Sequence, residues 1–164
     1  MERFSDRVND FRLLHASGCF VMPNPWDVGT AMSLERLGFT ALATTSAGFA
    51  WTLGRSDNHV TLDETLGHLR SIAGAVGVPV NADFEGGFAV EPEDVAANVE
   101  LATATGIAGL SIEDSTGDSA SPLHDFELAV ERIRAARQAI DVVLTGRRPD
   151  RAFRGVRLWQ TRHR

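Results

Sequence analysis

The sequence predicts an α/β protein in which short strands and amphipathic helices alternate around a parallel sheet. Apolar segments of strand length alternate with segments of helical periodicity from about residue 20 to residue 147. Acidic residues follow several of the predicted strands. Alternation of this kind is typical of strand–helix units that form a parallel sheet. The 164 residues are enough for one domain with a buried core.

The first part of the chain contains a leading helix and the first two strand–helix units. The predicted ranges are 5–16 for the leading helix, 20–23 for the first strand, about 28–37 for the next helix, and 41–45 for the second strand. Gly18 and Gly38 end the two helices. A long polar loop follows the second strand, and Thr61 and Glu64 then form a capping box that begins another helix.

The remaining strands are predicted at residues 79–83, 109–113 and 142–145. Pro92 lies near the first turn of the helix between the third and fourth strands, where proline is tolerated. The buried side of that helix is predicted to carry Val95, Val99 and Ala102. The helix before the fifth strand covers about residues 123–140, and its predicted buried residues are Phe126, Val130 and Ile133.

The composition excludes several classes of protein. A net charge of -6 argues against nucleic acid as a partner, because phosphate binding needs a positive surface. The single cysteine, Cys19, excludes an internal disulfide and fits a reducing compartment. We find no signal-peptide pattern and no apolar run that approaches the roughly 18 residues of a membrane span. We therefore expect a cytoplasmic protein that binds neither nucleic acid nor membrane.

The regular pattern stops at Arg147, so we divide the chain into a domain over residues 1–147 and a tail over residues 148–164. The chain contains no lysine, and seven of its arginines crowd its last 18 positions. The tail does not resemble a sixth strand–helix unit. We interpret it as a segment read out of its original frame, non-native or disordered. An ordinary basic surface tail is the alternative.

Acidic side chains are concentrated where active sites of parallel strand–helix proteins lie, at the carboxyl ends of strands. Asp83 and Glu85 end the third strand, Glu113 ends the fourth, and Asp57 lies in the loop after the second. Carboxylates at neighbouring strand ends would converge on one point. Ligands that are all oxygen suit Mg²⁺ or Mn²⁺ better than Zn²⁺. The alternative is that each acid caps a helix or faces solvent.

Two further features could bind an acidic substrate. Ser46, Ala47 and Gly48 form a turn of small residues after the second strand, which could present backbone N–H groups to a carboxylate or oxyanion. Arg147 ends the fifth strand and could bind a substrate carboxylate through two hydrogen bonds. A simple turn and a salt bridge at the rim are the respective alternatives.

Four motifs occur in order on successive strand ends, and together they carry a family resemblance. They are Asn24-Pro25-Trp26-Asp27, Thr45-Ser46-Ala47-Gly48, the segment from Asn81 to Phe88, and Ser111-Ile112-Glu113-Asp114. Over about residues 5–147 the chain resembles the isocitrate lyase/phosphoenolpyruvate mutase superfamily. The resemblance implies a (β/α)8 TIM barrel, a Mg²⁺ cofactor and usually a homotetramer whose dimers exchange their last helix. A complete barrel needs about 250 residues, so we expect only about the first five strand–helix units and a C-terminally truncated chain.

The resemblance also implies residue roles at the metal. Asp83 resembles the principal direct metal ligand of the family. Glu85, Glu113 and Asp57 resemble the acids that hold the metal directly or through its water molecules. Asp57 and Glu113 are also expected to take part in catalysis.

For the substrate, Ser46, Ala47 and Gly48 match the turn that binds the carboxylate end of a 2-oxo acid. Arg147 matches the catalytic arginine that closes on the other anionic group of the substrate.

The implied function is that of a Mg²⁺-dependent lyase-type enzyme, with C–C or P–C bond chemistry through the enolate of a small 2-oxo or 2-hydroxy acid. The loop over residues 115–124 resembles a lid, but it lacks the cysteine of the lyases and the lysine of the mutases. The usual cysteine mechanism and a standard mutase are therefore not expected. Two alternatives remain open: a catalytically inactive truncated fragment, and a metal-dependent pyruvate aldolase of another barrel family.

Overall fold

The structure is a computed structural model that describes residues 2–140 and 142–147, with the side chains of residues 6–140, 142 and 143. Its strands are β1 (Leu42–Ala43), β2 (Val80–Asp83), β3 (Gly109–Glu113) and β4 (Val143–Arg147). Its helices are α1 (Glu2–Leu14), α2 (Val28–Arg36), α3 (Ser46–Thr52), α4 (Leu62–Ala75), α5 (Pro92–Thr103) and α6 (Phe126–Ala139). The four strands form one parallel sheet in the order β1-β2-β3-β4. The predicted α/β class with a parallel sheet is thus confirmed.

The core lies between the sheet and the helices that connect its strands. The predicted buried side of α5 is confirmed, since Val95, Val99 and Ala102 are fully buried. Leu69 and Ile72 of α4 are buried in the same way. The capping box that opens α4 is also present, with Thr61 and Glu64 bonded to each other's backbone N–H groups. Local signals therefore locate α4 and α5 correctly.

Helix α1 covers the amino-terminal end of the sheet. Phe11 is fully buried and packs against Gly109, the first residue of β3, where an added Cβ atom would lie 2.4 Å from the phenylalanine ring. Arg7 donates hydrogen bonds to the carbonyl oxygens of Ala73 (2.7 Å) and Val76 (3.3 Å) at the end of α4. This end of the sheet is therefore covered, and the predicted acids lie at the other end.

The prediction of a strand over residues 20–23 is wrong for the sheet that the structure describes. This segment is not a strand; the carbonyl of Pro23 accepts one hydrogen bond from the Ala43 N–H group, at 3.1 Å. A single bond does not make a strand ladder, so an apolar segment alone was insufficient evidence. The long polar loop predicted after β1 is also wrong in its first part, because residues 46–52 form helix α3, which Thr45 caps.

The predicted buried side of α6 is only partly correct, because Val130 and Ile133 are partly buried and Phe126 is not buried. Phe126 is 61% exposed, whereas Arg132 and Ala136 are the buried residues of α6. The helix begins at Phe126 rather than near residue 123, because Asp125 acts as its N-cap and accepts a hydrogen bond from the Glu127 N–H group. The first residue of the helix is therefore exposed, and an arginine occupies a buried position.

The predicted tail over residues 148–164 lies outside the described residues, as does the side chain of Arg147. Among the helices that the structure describes, none has both the length and the apolar character needed to cross a membrane.

Candidate functional site

Most of the predicted site residues lie at the carboxyl edge of the sheet. Asp83, Glu113 and Arg147 are the last residues of β2, β3 and β4, and Ser46 begins α3 shortly after β1. In the parallel register Glu113 is opposite Arg147, and Asp83 is opposite Ser111. The backbone positions thus agree with the sequence-based expectation that these residues share one edge.

Asp83 has one oxygen held by the protein and one left over. Its Oδ2 atom accepts hydrogen bonds from the Ser46 N–H group (3.0 Å) and from the Ser46 hydroxyl (3.1 Å). Its backbone N–H group donates to Thr44 Oγ1 at 2.9 Å. Its Oδ1 atom is buried and accepts no hydrogen bond from the described residues. The carboxylate is therefore fixed in orientation while one buried oxygen remains available.

Ser46, Ala47 and Gly48 form the first turn of α3 rather than an open turn. The Ser46 N–H group is bonded to Asp83, and the Gly48 N–H group donates to Thr45 Oγ1 at 3.3 Å. Two of the three backbone donors predicted for a substrate carboxylate thus have partners within the chain. The link from Ser46 to Asp83 was not predicted, because nothing local in the sequence joins residues 37 positions apart.

Glu85 is the predicted acid on which the charges of the other three act. Its side chain is partly buried, and its Oε1 atom has no hydrogen-bond partner within the described part of the chain. Burial and, to a smaller extent, the negative charges of Asp57, Asp83 and Glu113 together raise the pKa of Glu85 from 4.5 to about 7. The Glu85 carbonyl also accepts a hydrogen bond from the Glu113 N–H group at 2.8 Å. The charges of the other three predicted acids therefore act on Glu85 in the folded chain.

Asp57 contributes from an exposed loop between α3 and α4. Its Oδ1 atom accepts a hydrogen bond from the Asn58 N–H group, and its carbonyl oxygen is 2.8 Å from a ring nitrogen of His59. The loop is anchored to α4 by an ion pair between Arg55 and Glu64, with a nitrogen–oxygen distance of 2.8 Å. Asp57 lies near enough to Glu85 for its charge to raise the pKa of Glu85.

The loop after β2, over residues 84–89, is held from two helices. Asn98 of α5 donates to the Gly87 carbonyl at 3.0 Å. Arg132 of α6 donates to the carbonyls of Gly86 and Ala89. Left-handed φ angles occur in this loop at Glu85 (47°), Gly87 (76°) and Phe88 (57°). Sequence reasoning missed Arg132 and Asn98; an arginine on the apolar side of α6, four residues before Ala136, was the signal for the first.

The loop after β3 closes on itself as a short hairpin. Ser115 and Leu123 pair in one antiparallel bridge, and the Thr116 N–H group donates to the Pro122 carbonyl at 3.1 Å. The His124 N–H group donates to the Asp114 carbonyl at 3.0 Å. This is the segment predicted as a lid, and its backbone bonds are internal to the loop.

The donor chemistry of the site fits a hard divalent cation held largely through water. Asp83 Oδ1 and Glu85 Oε1 are buried carboxylate oxygens without a hydrogen-bond donor in the described chain. However, no three His, Cys, Asp or Glu side chains within residues 6–140 lie close enough together to enclose an ion. Mg²⁺ usually keeps several waters and takes one or two carboxylates. The residues therefore fit an ion with few direct protein ligands better than a closed metal cage.

Comparison with known proteins identifies the family to which the chain is related. The family profile described as phosphoenolpyruvate phosphomutase matches residues 11–152. The uncharacterized protein Rv1998c of Mycobacterium tuberculosis H37Rv is 37% identical over 142 residues, which cover 85% of this chain and 52% of that protein. The chain thus spans about half the length of the curated relatives it matches.

Solved structures match with similar coverage. A Burkholderia cenocepacia J2315 protein, provisionally classed as a lyase/mutase, is 42% identical with a TM-score of 0.87, covering 90% of this chain and 55% of that one. Oxaloacetate acetylhydrolase in complex with the product oxalate is 30% identical, with a TM-score of 0.78 and coverage of 89% and 54%. The enzyme 2,3-dimethylmalate lyase is 28% identical, with a TM-score of 0.78 and coverage of 90% and 53%.

A second Burkholderia cenocepacia J2315 protein, provisionally classed as a phosphonomutase, also matches, at 32% identity and a TM-score of 0.82. The neighbours thus include a lyase, an acetylhydrolase and a provisional phosphonomutase, so the comparisons identify a superfamily and not one reaction. With a parallel α/β sheet, acids at its carboxyl edge and a family match over most of its length, the chain belongs to the phosphoenolpyruvate phosphomutase family, within the isocitrate lyase/phosphoenolpyruvate mutase superfamily.

Proposed function

We propose that this chain carries the metal-binding and substrate-binding half of a Mg²⁺- or Mn²⁺-dependent lyase-type enzyme. Its substrate would be a small 2-oxo or 2-hydroxy acid, and its chemistry the making or breaking of a C–C or P–C bond. The observation that carries the proposal is Asp83, with one oxygen fixed by Ser46 and the other buried without a donor among the described residues. The raised pKa of Glu85 gives further support, because it reflects the charges of Asp57, Asp83 and Glu113 near this side chain.

In this proposal Asp83 binds the metal directly through Oδ1. Glu85, Glu113 and Asp57 hold the water molecules of the ion, which agrees with the lack of a compact ligand group among the described residues. The metal, when bound, would supply the positive charge that stabilises the enolate form of the substrate. Ser46 then has a supporting role, because its two hydrogen bonds keep the Asp83 carboxylate from rotating.

The substrate would be bound by its anionic groups. Ala47 lies between two residues whose N–H groups have partners within the chain, so we assign the substrate carboxylate to the first turn of α3 around Ala47. We propose that Arg147, at the end of β4, binds the second anionic group through its guanidinium. Asp57 and Glu113 are the acids proposed to assist proton transfer.

The choice of substrate class rests on the named relatives. One is named for oxaloacetate and is bound to oxalate, and another is named for 2,3-dimethylmalate. Oxaloacetate and 2,3-dimethylmalate are small acids with a 2-oxo or 2-hydroxy group next to a carboxylate. A small acid of this class is therefore the substrate we propose here.

An inactive fragment of such an enzyme is the second candidate. The chain spans about half the length of its relatives, and within the described residues β1 and β4 each pair with one neighbouring strand only. An unpaired strand edge favours association or aggregation. The homotetramer that the resemblance implies remains a prediction, and size-exclusion chromatography tests it directly. Family membership argues against the third alternative, a pyruvate aldolase of another barrel family.

Thermal melting with Mg²⁺ and oxalate distinguishes the first two candidates. A ligand that binds the folded chain alone raises the melting temperature. We expect Mg²⁺ with oxalate to stabilise the wild-type chain and the control Asp10→Asn, whose site lies on α1 at the opposite end of the sheet. Asp83→Asn should lose the response. A response that survives in Asp83→Asn contradicts the metal assignment, whereas an aggregated wild type without a metal response supports the fragment.

A matching activity screen follows the release of pyruvate or glyoxylate from candidate acids in the presence of Mg²⁺. Activity in the wild type and in Asp10→Asn, together with its loss in Asp83→Asn, is the expected result. Equal activity in all three chains would assign the reaction to another site.

A further inference from the structure

The most unusual buried side chain lies outside the proposed metal ligands. Arg132 of α6 is 1% exposed, and it is the largest of the fully buried side chains among the described residues. Its Nη2 atom donates to the carbonyls of Gly86 and Ala89, the latter at 2.9 Å. Both carbonyls belong to the loop that begins with Phe84 and Glu85. A buried arginine of α6 therefore donates hydrogen bonds to the backbone next to the candidate site.

We propose that Arg132 is a positioning residue, which acts with Asn98 to hold the loop over residues 84–89 in the shape that places Glu85 beside Asp83. The metal-binding part of this inference rests on the proposed function above. Arg132 donates its hydrogen bonds to loop carbonyls and not to the carboxylates of Glu85 or Asp83, so its effect on the site passes through the loop backbone.

The loop needs such support because its backbone is strained. Glu85 and Phe88 adopt left-handed φ angles of 47° and 57°, a region that residues other than glycine rarely occupy. Strained conformations persist when surrounding contacts determine them from several sides. Here the Glu85 carbonyl accepts a hydrogen bond from the Glu113 N–H group. The Gly87 carbonyl accepts one from Asn98 of α5, and the Ala89 carbonyl accepts one from Arg132 of α6.

The chemistry of arginine explains why this residue type is suited to the position. Burying a guanidinium is costly unless it is hydrogen-bonded, and burial lowers the pKa of Arg132 while the nearby negative charge of Asp114 raises it. The planar guanidinium reaches two carbonyls three residues apart along one loop. Space in the loop is also limited, since a Cβ atom at Gly86 would lie 3.2 Å from the Ser115 carbonyl oxygen. The loop has little room to find another arrangement that satisfies the same bonds.

The test uses four variants of the 164-residue chain. Arg132→Met removes both bonds, Arg132→Lys keeps the charge with a smaller reach, and Asn98→Ala removes the support from α5. Arg134→Met is the matched control, because Arg134 is an exposed arginine on the same helix. The first readout is amide hydrogen exchange at Gly87 and Glu113 in metal-free protein, and the second is the Kd for Mn²⁺ alone by titration calorimetry.

We expect faster exchange at both amides in Arg132→Met and Asn98→Ala, an intermediate effect in Arg132→Lys, and none in Arg134→Met. Loss of a residue that orients a ligand typically weakens metal binding by about ten- to a hundredfold, and Arg132→Met should weaken Mn²⁺ binding within that range. If Arg132→Met does not fold, Arg132→Lys and Asn98→Ala provide the same two readouts.

Unchanged hydrogen exchange in the loop overturns the inference even if Mn²⁺ binding is weaker. The loss of Mn²⁺ affinity would then have a cause other than a change in the loop. Equal effects in Arg132→Met and Arg134→Met overturn it as well. If the wild-type chain binds no Mn²⁺, the proposed function fails and the metal-binding part of this inference fails with it. The exchange measurements then still decide whether Arg132 holds the loop.

Discussion

Replacing Glu85 by glutamine should stabilise the metal-free chain at neutral and alkaline pH. In the folded chain the pKa of Glu85 is raised from 4.5 to about 7, first by burial and then by the charges of Asp57, Asp83 and Glu113. Because folding raises this pKa, the chain is most stable below 4.5 with respect to Glu85, and it loses stability as the pH rises through about 7. The variant has no carboxylate to ionise and avoids this loss.

The size of the effect follows from the two pKa values. One pKa unit corresponds to about 1.4 kcal/mol, so the unscreened loss is roughly 3 kcal/mol. The Glu85 side chain is partly exposed, and solvent screening reduces the expected loss to about 1–2 kcal/mol. A difference of this size is measurable, because whole domains are stable by only about 5–15 kcal/mol.

The assay is urea unfolding followed by circular dichroism, with a chelator present, at about pH 4 and about pH 8. Glu85→Gln should match the wild type at the lower pH and exceed it by about 1–2 kcal/mol at the higher pH. Glu131→Gln is the control, since Glu131 is exposed on α6. An equal difference at both pH values, or a variant less stable than wild type at the higher pH, would refute the electrostatic reasoning.

Three further predictions concern stability away from the acids. Burial lowers the pKa of His68 to about 4, so the chain should lose stability as the pH falls from 6.5 through about 4. In urea unfolding over that range, His68→Leu should lose about 1–2 kcal/mol less than the wild type. Equal losses in the two chains would contradict the lowered pKa of His68. Gly109→Ala should destabilise by about 1–3 kcal/mol in the same assay, because its Cβ atom would lie 2.4 Å from the Phe11 ring, whereas Gly67→Ala, in open space on α4, should stabilise by about 0.5–1 kcal/mol. Thr61→Ala should lower the melting temperature and cost about 1 kcal/mol through loss of the α4 cap, and an unchanged melting temperature would show that the cap is dispensable.

Elements with strong local signals could be predicted from sequence. Helix α4 begins at its capping box, and α5 begins at Pro92 and buries the side chains expected from helical spacing. These signals act within one or two turns of chain, so no distant contact is needed to interpret them. The segment over residues 20–23 is different, because whether an apolar segment joins a sheet depends on the strands available to pair with it.

Helices α3 and α6 show where local reasoning ends. Residues 46–52 carry no apolar periodicity long enough to mark a helix, and Thr45 caps a helix whose first residue is bonded to a distant aspartate. In α6, the same hydrophobic residues could face the sheet or solvent according to where the helix begins. Phe126 therefore proved to be exposed while Arg132 is buried.

The sequence by itself determined the fold class, the family and the position of Asp83 and Glu113 at the ends of neighbouring strands. These follow from the order and spacing of residues along the chain, because parallel strands bring their carboxyl ends to one edge wherever the helices lie. Tertiary structure alone decided which atoms of the site have partners: Ser46 holds one oxygen of Asp83, and Arg132 holds the loop of Glu85. Such contacts join residues about 40 positions apart in the chain and depend on burial and distance. The strength of the electrostatic interactions among the acids was likewise decided only by folding.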